Sequence, residues 1–223
     1  WGYQGRLQYV IVQQANDAGD HIVESDNVST DEVGYLTEPR SNPIVSNFTF
    51  ISRGHDEIFK LKEGVSGQYY NGVAAVLNAA TPTLTKGCIE TTFTGTTIQD
   101  GAITPNFSMN SVAFDCPDAT SGNGTSDLVK IGEYSTGTDA ATIADVEAIV
   151  KAGANNLYAA TSGGGTYEHS LGKESVPGAN VNGTVVNGPT ETAATVTAIP
   201  SAYNTDGFFD TTTHIGAVSG ATD

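Results

Sequence analysis

Short apolar segments that begin with asparagine are the feature of this 223-residue chain that most limits the folds open to it. Three such segments occur, at Asn47–Ile51, Asn71–Val76 and Asn110–Phe114. Further strand-like runs precede them, at Leu7–Val12, His21–Glu24, Glu57–Lys60 and Cys88–Thr91. Polar loops of unequal length separate all of these runs, so the chain repeats a unit of short strands and loops.

The loops between these strands show little helical periodicity. A β-α-β winding would place about 10–15 helical residues between successive strands, so this pattern does not favour it. A parallel β-solenoid fits better, because each strand there stacks on its equivalent from the previous coil. We therefore predict an all-β solenoid, with equivalent residues forming ladders along its axis.

The leading asparagines have a structural role in such a coil. Asparagine adopts the left-handed backbone conformation at little cost, and its amide can bond to the asparagines of neighbouring coils. Those bonds would satisfy buried polar groups that otherwise cost about 1–3 kcal/mol each. We interpret Asn47, Asn71 and Asn110 as an internal asparagine ladder. Aligning Ile22 with Ile58 also predicts a surface ion pair between Glu24 and Lys60, worth about 0–1 kcal/mol.

One segment departs from the strand pattern. Ile143, Val146, Ile149 and Val150 recur at helical spacing, and Gly153 can supply a left-handed C-terminal residue. We predict one inserted amphipathic helix over residues 139–153. The chain then divides into β-helix coils at 1–120, a Gly-rich insertion with the helix at 121–180, and final strands with a C-terminal tail at 181–223, all in one structural domain.

Acidity excludes several classes of partner. The chain has 25 acidic and 9 basic side chains, a formal net charge of -16. Nucleic acid or an anionic membrane surface would be repelled, and no basic stripe offsets the charge. No apolar run approaches the roughly 18 residues of a membrane span. Few Lys and Arg residues, with abundant Thr, Asn and Gly, favour an exported protein at the outer cell surface.

Cys88 and Cys116 are the two cysteines. A lone pair cannot build a cysteine-rich zinc site, which leaves one disulfide or two buried thiols. An extracellular location favours the disulfide. The bridge would close a loop of about 28 residues and contribute ~3 kcal/mol of stability.

A cluster of acidic residues near the first strands is a candidate calcium site. Asp17, Asp20, Glu24 and Asp26 could gather carboxylate oxygens at one edge of a coil. The spacing does not match a helix–loop–helix calcium motif, so a solvated acidic loop is the alternative interpretation. Calcium is the one cofactor that the sequence suggests.

No catalytic residues are assigned. Glu57, Glu90 and other carboxylates look scattered, without the pairing that glycoside hydrolysis needs. His21 and His55 precede equivalent strands, but two histidines lack the third ligand of a catalytic metal. For a carbohydrate-binding alternative, the consecutive pair Tyr69 and Tyr70 is the candidate platform, since one of two consecutive strand residues faces outward.

Scattered sequence blocks also resemble a family of proteins. They are Gly2–Tyr9, Gln13–Gln14, Glu24–Asn27, Glu38–Pro43, Lys60–Gly64, Phe208–Asp210 and His214–Val218. Together they resemble the C-terminal half of large exported bacterial right-handed parallel β-helix surface proteins, which have no assigned activity. The likeness covers about the first 120 residues and the last 20. Such proteins carry further coils upstream, so the resemblance implies that the first coil here has an open end.

These inferences lead to one expected function. We expect a non-enzymatic extracellular structural or adhesive protein, a subunit or fragment of a cell-surface assembly or filament. Self-association, or the other half of a longer precursor, would cover the first coil around Leu7–Val12. The alternative is a carbohydrate-binding or polysaccharide-cleaving β-helix protein.

Overall fold

The computed structural model describes residues 2–15, 19–27, 38–52, 57–62, 65–76, 88–92, 107–115, 129–131, 148–158, 180–181, 184–185 and 195–217. Strands dominate these ranges: β1 (Arg6–Gln13), β2 (Val23–Ser25), β3 (Ile44–Ser52), β4 (Phe59–Lys62), β5 (Gly67–Val76), β6 (Ile89–Thr92), β7 (Phe107–Asp115), β8 (Val129–Ile131), β9 (Leu157–Tyr158), β10 (Asn180–Val181) and β11 (Thr184–Val185). Residues 148–152 and a 3₁₀ turn at Ser201–Tyr203 are the helical parts of the described chain. The fold is therefore all-β, as predicted.

Consecutive strands alternate between two parallel sheets. One sheet has the order β1-β3-β5-β7-β9 and the other has the order β2-β4-β6-β8. Every neighbouring pair in both sheets is parallel. The strands β10 and β11 pair with each other, antiparallel, over two residues each. The predicted apolar runs thus all lie on strands or directly before them.

Two strands of the segment predicted as an insertion continue these sheets. The strand β8 pairs with β6, and β9 pairs with β7, both in parallel. Residues 129–131 and 157–158 therefore add one strand to each sheet.

The main core lies between the two sheets, because its side chains come from both. Phe48 of β3, Phe59 of β4 and Tyr69 of β5 are fully or almost fully buried. The ring of Phe59 meets those of Phe48 and Tyr69 edge to face, with centroids 6.1 and 5.3 Å apart. A Cβ at Gly72 would lie only 2.0 Å from Cζ of Phe48, so the ring packs directly against the backbone of β5.

A row of residues with left-handed backbone marks a corner shared by the strands of the five-stranded sheet. Their φ angles lie between 49° and 59°, and they are Tyr9, Asn47, Asn71, Ser111 and Asn155. In β1, β3, β5 and β7 the flanking register pairs place these residues opposite one another. A non-glycine residue at positive φ is uncommon, and asparagine tolerates it best.

The prediction that Asn110 belongs to this row is wrong. Ser111 has the positive φ, and Asn110 pairs in register with Tyr70, one residue before the corner. The side chain of Asn110 is used elsewhere, because its Oδ1 accepts a hydrogen bond of 2.9 Å from the backbone N–H of Ala154.

Side chains at the corner hold the C-terminal segment, residues 195–217. Nδ2 of Asn71 donates to the carbonyl of Thr197 at 3.0 Å, and the N–H of Thr197 donates to Oδ1 of Asn71 at 2.8 Å. Nδ2 of Asn47 donates to the carbonyl of His214 at 3.0 Å and to Oγ1 of Thr212 at 3.1 Å. These amides therefore bond across to the C-terminal segment, and the predicted amide-to-amide ladder is replaced by this arrangement.

The same segment buries the outer face of the five-stranded sheet, the face turned away from the main core. Phe209 packs against Ile44 and Tyr70 in one apolar cluster. Ile215 packs with Val73 and neighbouring alanines in another. Both clusters join residues far apart in the chain, so the C-terminal segment closes a second, smaller core.

An ion pair attaches this segment to the first strand. Arg6 donates two hydrogen bonds to the carboxylate of Asp206, at 2.5 and 2.6 Å. The guanidinium also lies 4.7 Å from the ring centroid of Phe208. Hydrogen bonding from Arg6 holds the pKa of Asp206 at about 2. Two-point geometry fixes orientation better than a single contact does, so the pair aligns the segment along β1.

The helical residues 148–152 lie within the predicted helix, whose residues 139–147 are outside the described ranges. The expected role of Gly153 is wrong, because Asn155 and not Gly153 has the left-handed backbone. A Cβ at Gly153 would lie 1.8 Å from the carbonyl oxygen of Met109. Glycine is needed there for close approach to β7.

Candidate functional site

Three side chains that can ligate a metal ion lie close together near the first residues of β2, β4 and β6, in the four-stranded sheet. His21 lies two residues before Val23 of β2, and Glu57 lies two residues before Phe59 of β4. Val23 and Phe59 are partners in the parallel register. Glu90 is the second residue of β6, the next strand of the sheet. Parallel stacking of these strands brings the three side chains, here called the His21 cluster, together.

The donor atoms of the His21 cluster are close and shielded from water. One ligand atom from each residue lies within 4.8 Å of the other two. Nε2 of His21 is 3.2 Å from Oε2 of Glu90. The side chains of His21 and Glu90 are 1% and 6% exposed, and Glu57 is 2% exposed. Burial of two carboxyl groups is costly unless positive groups or donors face them.

Charged groups surround the cluster on its outer side. Nδ1 of His21 lies 3.5 Å from Oδ1 of Asp20, whose side chain is exposed. Nζ of Lys60 lies 3.6 Å from Oε1 of Glu90. Lys60 and Glu90 are register partners on adjacent strands, which explains their contact. Nδ1 of His21 therefore faces a carboxylate, and Oε1 of Glu90 faces an ammonium group.

An imidazole nitrogen with two carboxylates is a donor set suited to a divalent transition metal. Zinc takes such nitrogen and oxygen ligands, whereas calcium takes oxygen ligands alone. Without a metal, the same groups form a buried acid–base network in which His21 bonds to Glu90. Within the described residues, this is the group that could hold an ion.

The sequence alone did not predict the His21 cluster. The interpretation of Glu57 and Glu90 as scattered is wrong, because both lie at the starts of stacked strands. His55, proposed as the neighbour of His21, lies outside the described residues. The available signal was the position of His21 and Glu57 at the same offset before equivalent strands.

The residues predicted to bind calcium do not all come together. Asp17 lies outside the described residues, and Asp20 lies beside His21. Glu24 and Asp26 both face Lys62, whose Nζ is 2.7 Å from Oε1 of Glu24 and 3.5 Å from Oδ2 of Asp26. The hydrogen bond from Lys62 lowers the pKa of Glu24. An ammonium group therefore lies where a calcium ion between these two carboxylates would be.

The predicted partner of Glu24 is also corrected. Glu24 and Lys60 are register partners, as predicted. The ion pair of Glu24 is nevertheless with Lys62, and Lys60 faces Glu90. The lysine two residues further along β4 is the one whose ammonium group reaches Glu24.

Tyr69 and Tyr70 do not form a carbohydrate platform. Tyr69 points into the main core and is 1% exposed, and burial raises its pKa to about 12. Tyr70 points to the outer face, as strand alternation requires, but Phe209 covers it and leaves 4% exposed. The prediction failed because the C-terminal segment buries the outward ring.

Cys88 is fully buried in the main core and is disulfide-bonded. Its predicted partner, Cys116, lies outside the described residues, so the pairing stays a prediction. A bridge at Cys88 would anchor the start of β6, next to the His21 cluster.

Comparison with known proteins finds no family model, no curated protein and no solved structure that matches this chain. In the part of the chain that the structure describes, no helix has the length and apolar character needed to cross a membrane.

Proposed function

We propose that the chain is a right-handed parallel β-helix that serves as a structural or adhesive part of an assembly outside the cell. The alternation of consecutive strands between two parallel sheets supports the coil architecture, because each coil of a β-helix adds one strand to each sheet. Connections between parallel strands are right-handed in nearly all proteins, which supports the hand. The disulfide at Cys88 and the charge of -16 support an oxidising, extracellular location.

One observation carries the assembly proposal, namely the free edge of β1. The strand pairs with β3 on one side, and within the described residues no strand pairs with its other side. Leu7, Tyr9 and Ile11 on this strand are 41–43% exposed, although Leu7 is in register with the buried Val45. An apolar strand edge is a template for pairing with another chain. A second copy of the chain is the occupant that we propose.

The experiment is light scattering on fractions from size-exclusion chromatography, over a range of protein concentrations. Self-association is expected to rise with protein concentration and with salt, because salt screens the repulsion between two copies of net charge -16. The double variant Leu7→Lys/Ile11→Lys is expected to remain monomeric. A parallel run with a chelator shows whether calcium contributes.

The control is Phe208→Lys, which introduces one lysine, half the added charge of the double variant, at a similarly exposed aromatic residue of the C-terminal segment. That variant is expected to associate like the unmodified chain. The proposal is contradicted if the unmodified chain stays monomeric at every concentration. It is also contradicted if the double variant Leu7→Lys/Ile11→Lys associates as strongly as the unmodified chain.

A further inference from the structure

We propose that the His21 cluster binds one zinc ion, with His21, Glu57 and Glu90 as its protein ligands. The proposed site is independent of the assembly function and of the calcium hypothesis. Its ligands come from three successive coils of the chain, at the starts of β2, β4 and β6. The ion would connect these strands across the four-stranded sheet.

The spacing of the donors fits a zinc site that needs only small side-chain adjustments. Zinc bonds to nitrogen and oxygen measure about 2.0–2.1 Å, which places tetrahedral ligands about 3.4 Å apart. Nε2 of His21 and Oε2 of Glu90 are already 3.2 Å apart. The donor atoms all lie within 4.8 Å of one another, and rotation about the side-chain bonds of Glu57 or Glu90 would close the wider gaps.

The groups around the ligands give a second, independent indication. Histidines that ligate zinc commonly have a carboxylate or carbonyl facing their other ring nitrogen, and ligating carboxylates are held by donors. Oδ1 of Asp20 lies 3.5 Å from Nδ1 of His21, and Nζ of Lys60 lies 3.6 Å from Oε1 of Glu90. Each contact uses the atom that faces away from the cluster. Asp20 and Lys60 are therefore placed as orienting residues.

The same features separate zinc from calcium. Calcium prefers six to eight oxygen ligands and would gain nothing from an imidazole. The His21 cluster offers three protein donors, one of them nitrogen, in a nearly dry site. Three protein ligands and one water complete the four-coordinate geometry that zinc takes.

The test is isothermal titration of Zn²⁺ into the full chain after treatment with a chelator. Excess Ca²⁺ in the buffer occupies the exposed carboxylates, so that weak binding to the acidic surface does not register. We expect one zinc ion per chain. The variants His21→Gln and Glu57→Gln each remove a ligand and are expected to weaken binding by at least ~100-fold, and Asp20→Asn by about 10-fold.

The matched control is Glu24→Gln, which removes a carboxylate of the same sheet that faces Lys62 instead of the cluster. It is expected to weaken zinc binding far less than His21→Gln does, because Glu24 acts on His21 only through its charge and does not ligate the ion. Nuclear magnetic resonance gives a readout that does not depend on variants, since the ring signals of His21 should shift at one equivalent of zinc while those of His214 stay in place.

Two outcomes overturn the proposal. One is the absence of saturable zinc binding by the unmodified chain, which would identify the cluster as a metal-free acid–base network. The other is zinc binding that Glu24→Gln weakens as much as His21→Gln does, which would reflect surface charge alone. Circular dichroism of each variant establishes that it is folded before its affinity is compared.

Discussion

Replacing Phe209 with alanine is expected to lower the free energy of unfolding by about 3–5 kcal/mol. The ring is 4% exposed and fills the cluster that it forms with Ile44 and Tyr70 on the outer face. Its removal leaves a cavity and weakens the attachment of the C-terminal segment at the same time. Urea unfolding followed by circular dichroism measures the loss as a shift of the transition midpoint.

The neighbouring residue provides the matched control. Phe208 is 45% exposed, and its ring contacts Phe209 and the guanidinium of Arg6. Phe208→Ala is expected to cost about 1 kcal/mol or less, the size of an exposed cation–π contact. Equal losses for the two variants would mean that the C-terminal segment does not pack on the sheet as described.

Replacing Asn71 with alanine is expected to cost about 2–4 kcal/mol. Two physical causes add up, because alanine resists a left-handed backbone by about 1–2 kcal/mol and the loss of the amide leaves both backbone groups of Thr197 unpaired. Asn71→Gly restores the backbone freedom and loses only the hydrogen bonds, so its cost is expected to be smaller. Denaturant unfolding of the two variants separates the two causes.

Asn110 is the informative comparison, because its φ is not positive and, within the described residues, its side chain makes only two hydrogen bonds, one from the N–H of Ala154 and one to Oγ of Ser108. Asn110→Ala is expected to cost about 1 kcal/mol. A loss at Asn110 as large as that at Asn71 would favour the asparagine ladder that the sequence alone predicts, and would contradict the corner at Ser111.

Strand positions and parallel pairing were accessible from the sequence, since Asn47–Ile51, Asn71–Val76 and Asn110–Phe114 lie within three stacked strands. The position of the residue with left-handed backbone inside each strand could not be predicted from the sequence. A left-handed residue shifts the inward and outward alternation by one, so that Val45 and Phe48 both point into the main core. Assuming that side chains simply alternate between the two faces along all of β3 therefore assigns one half of the strand to the wrong face.

The register of β6, the third strand of the four-stranded sheet, explains why the sequence did not predict the His21 cluster. Aligning the segments Glu57–Lys60 and Cys88–Thr91 end to end places Ile58 opposite Ile89. The structure pairs Phe59 with Ile89, one residue later, and so places Glu90 opposite Lys60. Loops of unequal length leave the register to be decided by packing between distant strands, which short sequence patterns do not contain.

No pattern in the strand sequences predicts that the C-terminal segment covers the outer face of the five-stranded sheet. Tyr70 faces outward in the strand pattern, and the residues that bury it lie more than 120 positions later in the chain. The polar contacts of Asn47 and Asn71 likewise depend on the C-terminal segment. Contacts of this kind follow from the three-dimensional path of the chain and not from the composition of either segment.

Every second strand of the chain pairs in parallel with the next strand of its own sheet, and backbone nuclear Overhauser contacts test this pairing directly. In one row of the five-stranded sheet, we expect Ile44 to contact both Arg6 and Gln68, and Gln68 to contact Ser108. In the next row, Ser46 should contact Gln8 and Tyr70, so that residue numbers rise together along neighbouring strands. Contacts whose numbers fall on one strand as they rise on its neighbour would show antiparallel pairing and rule out the two parallel sheets.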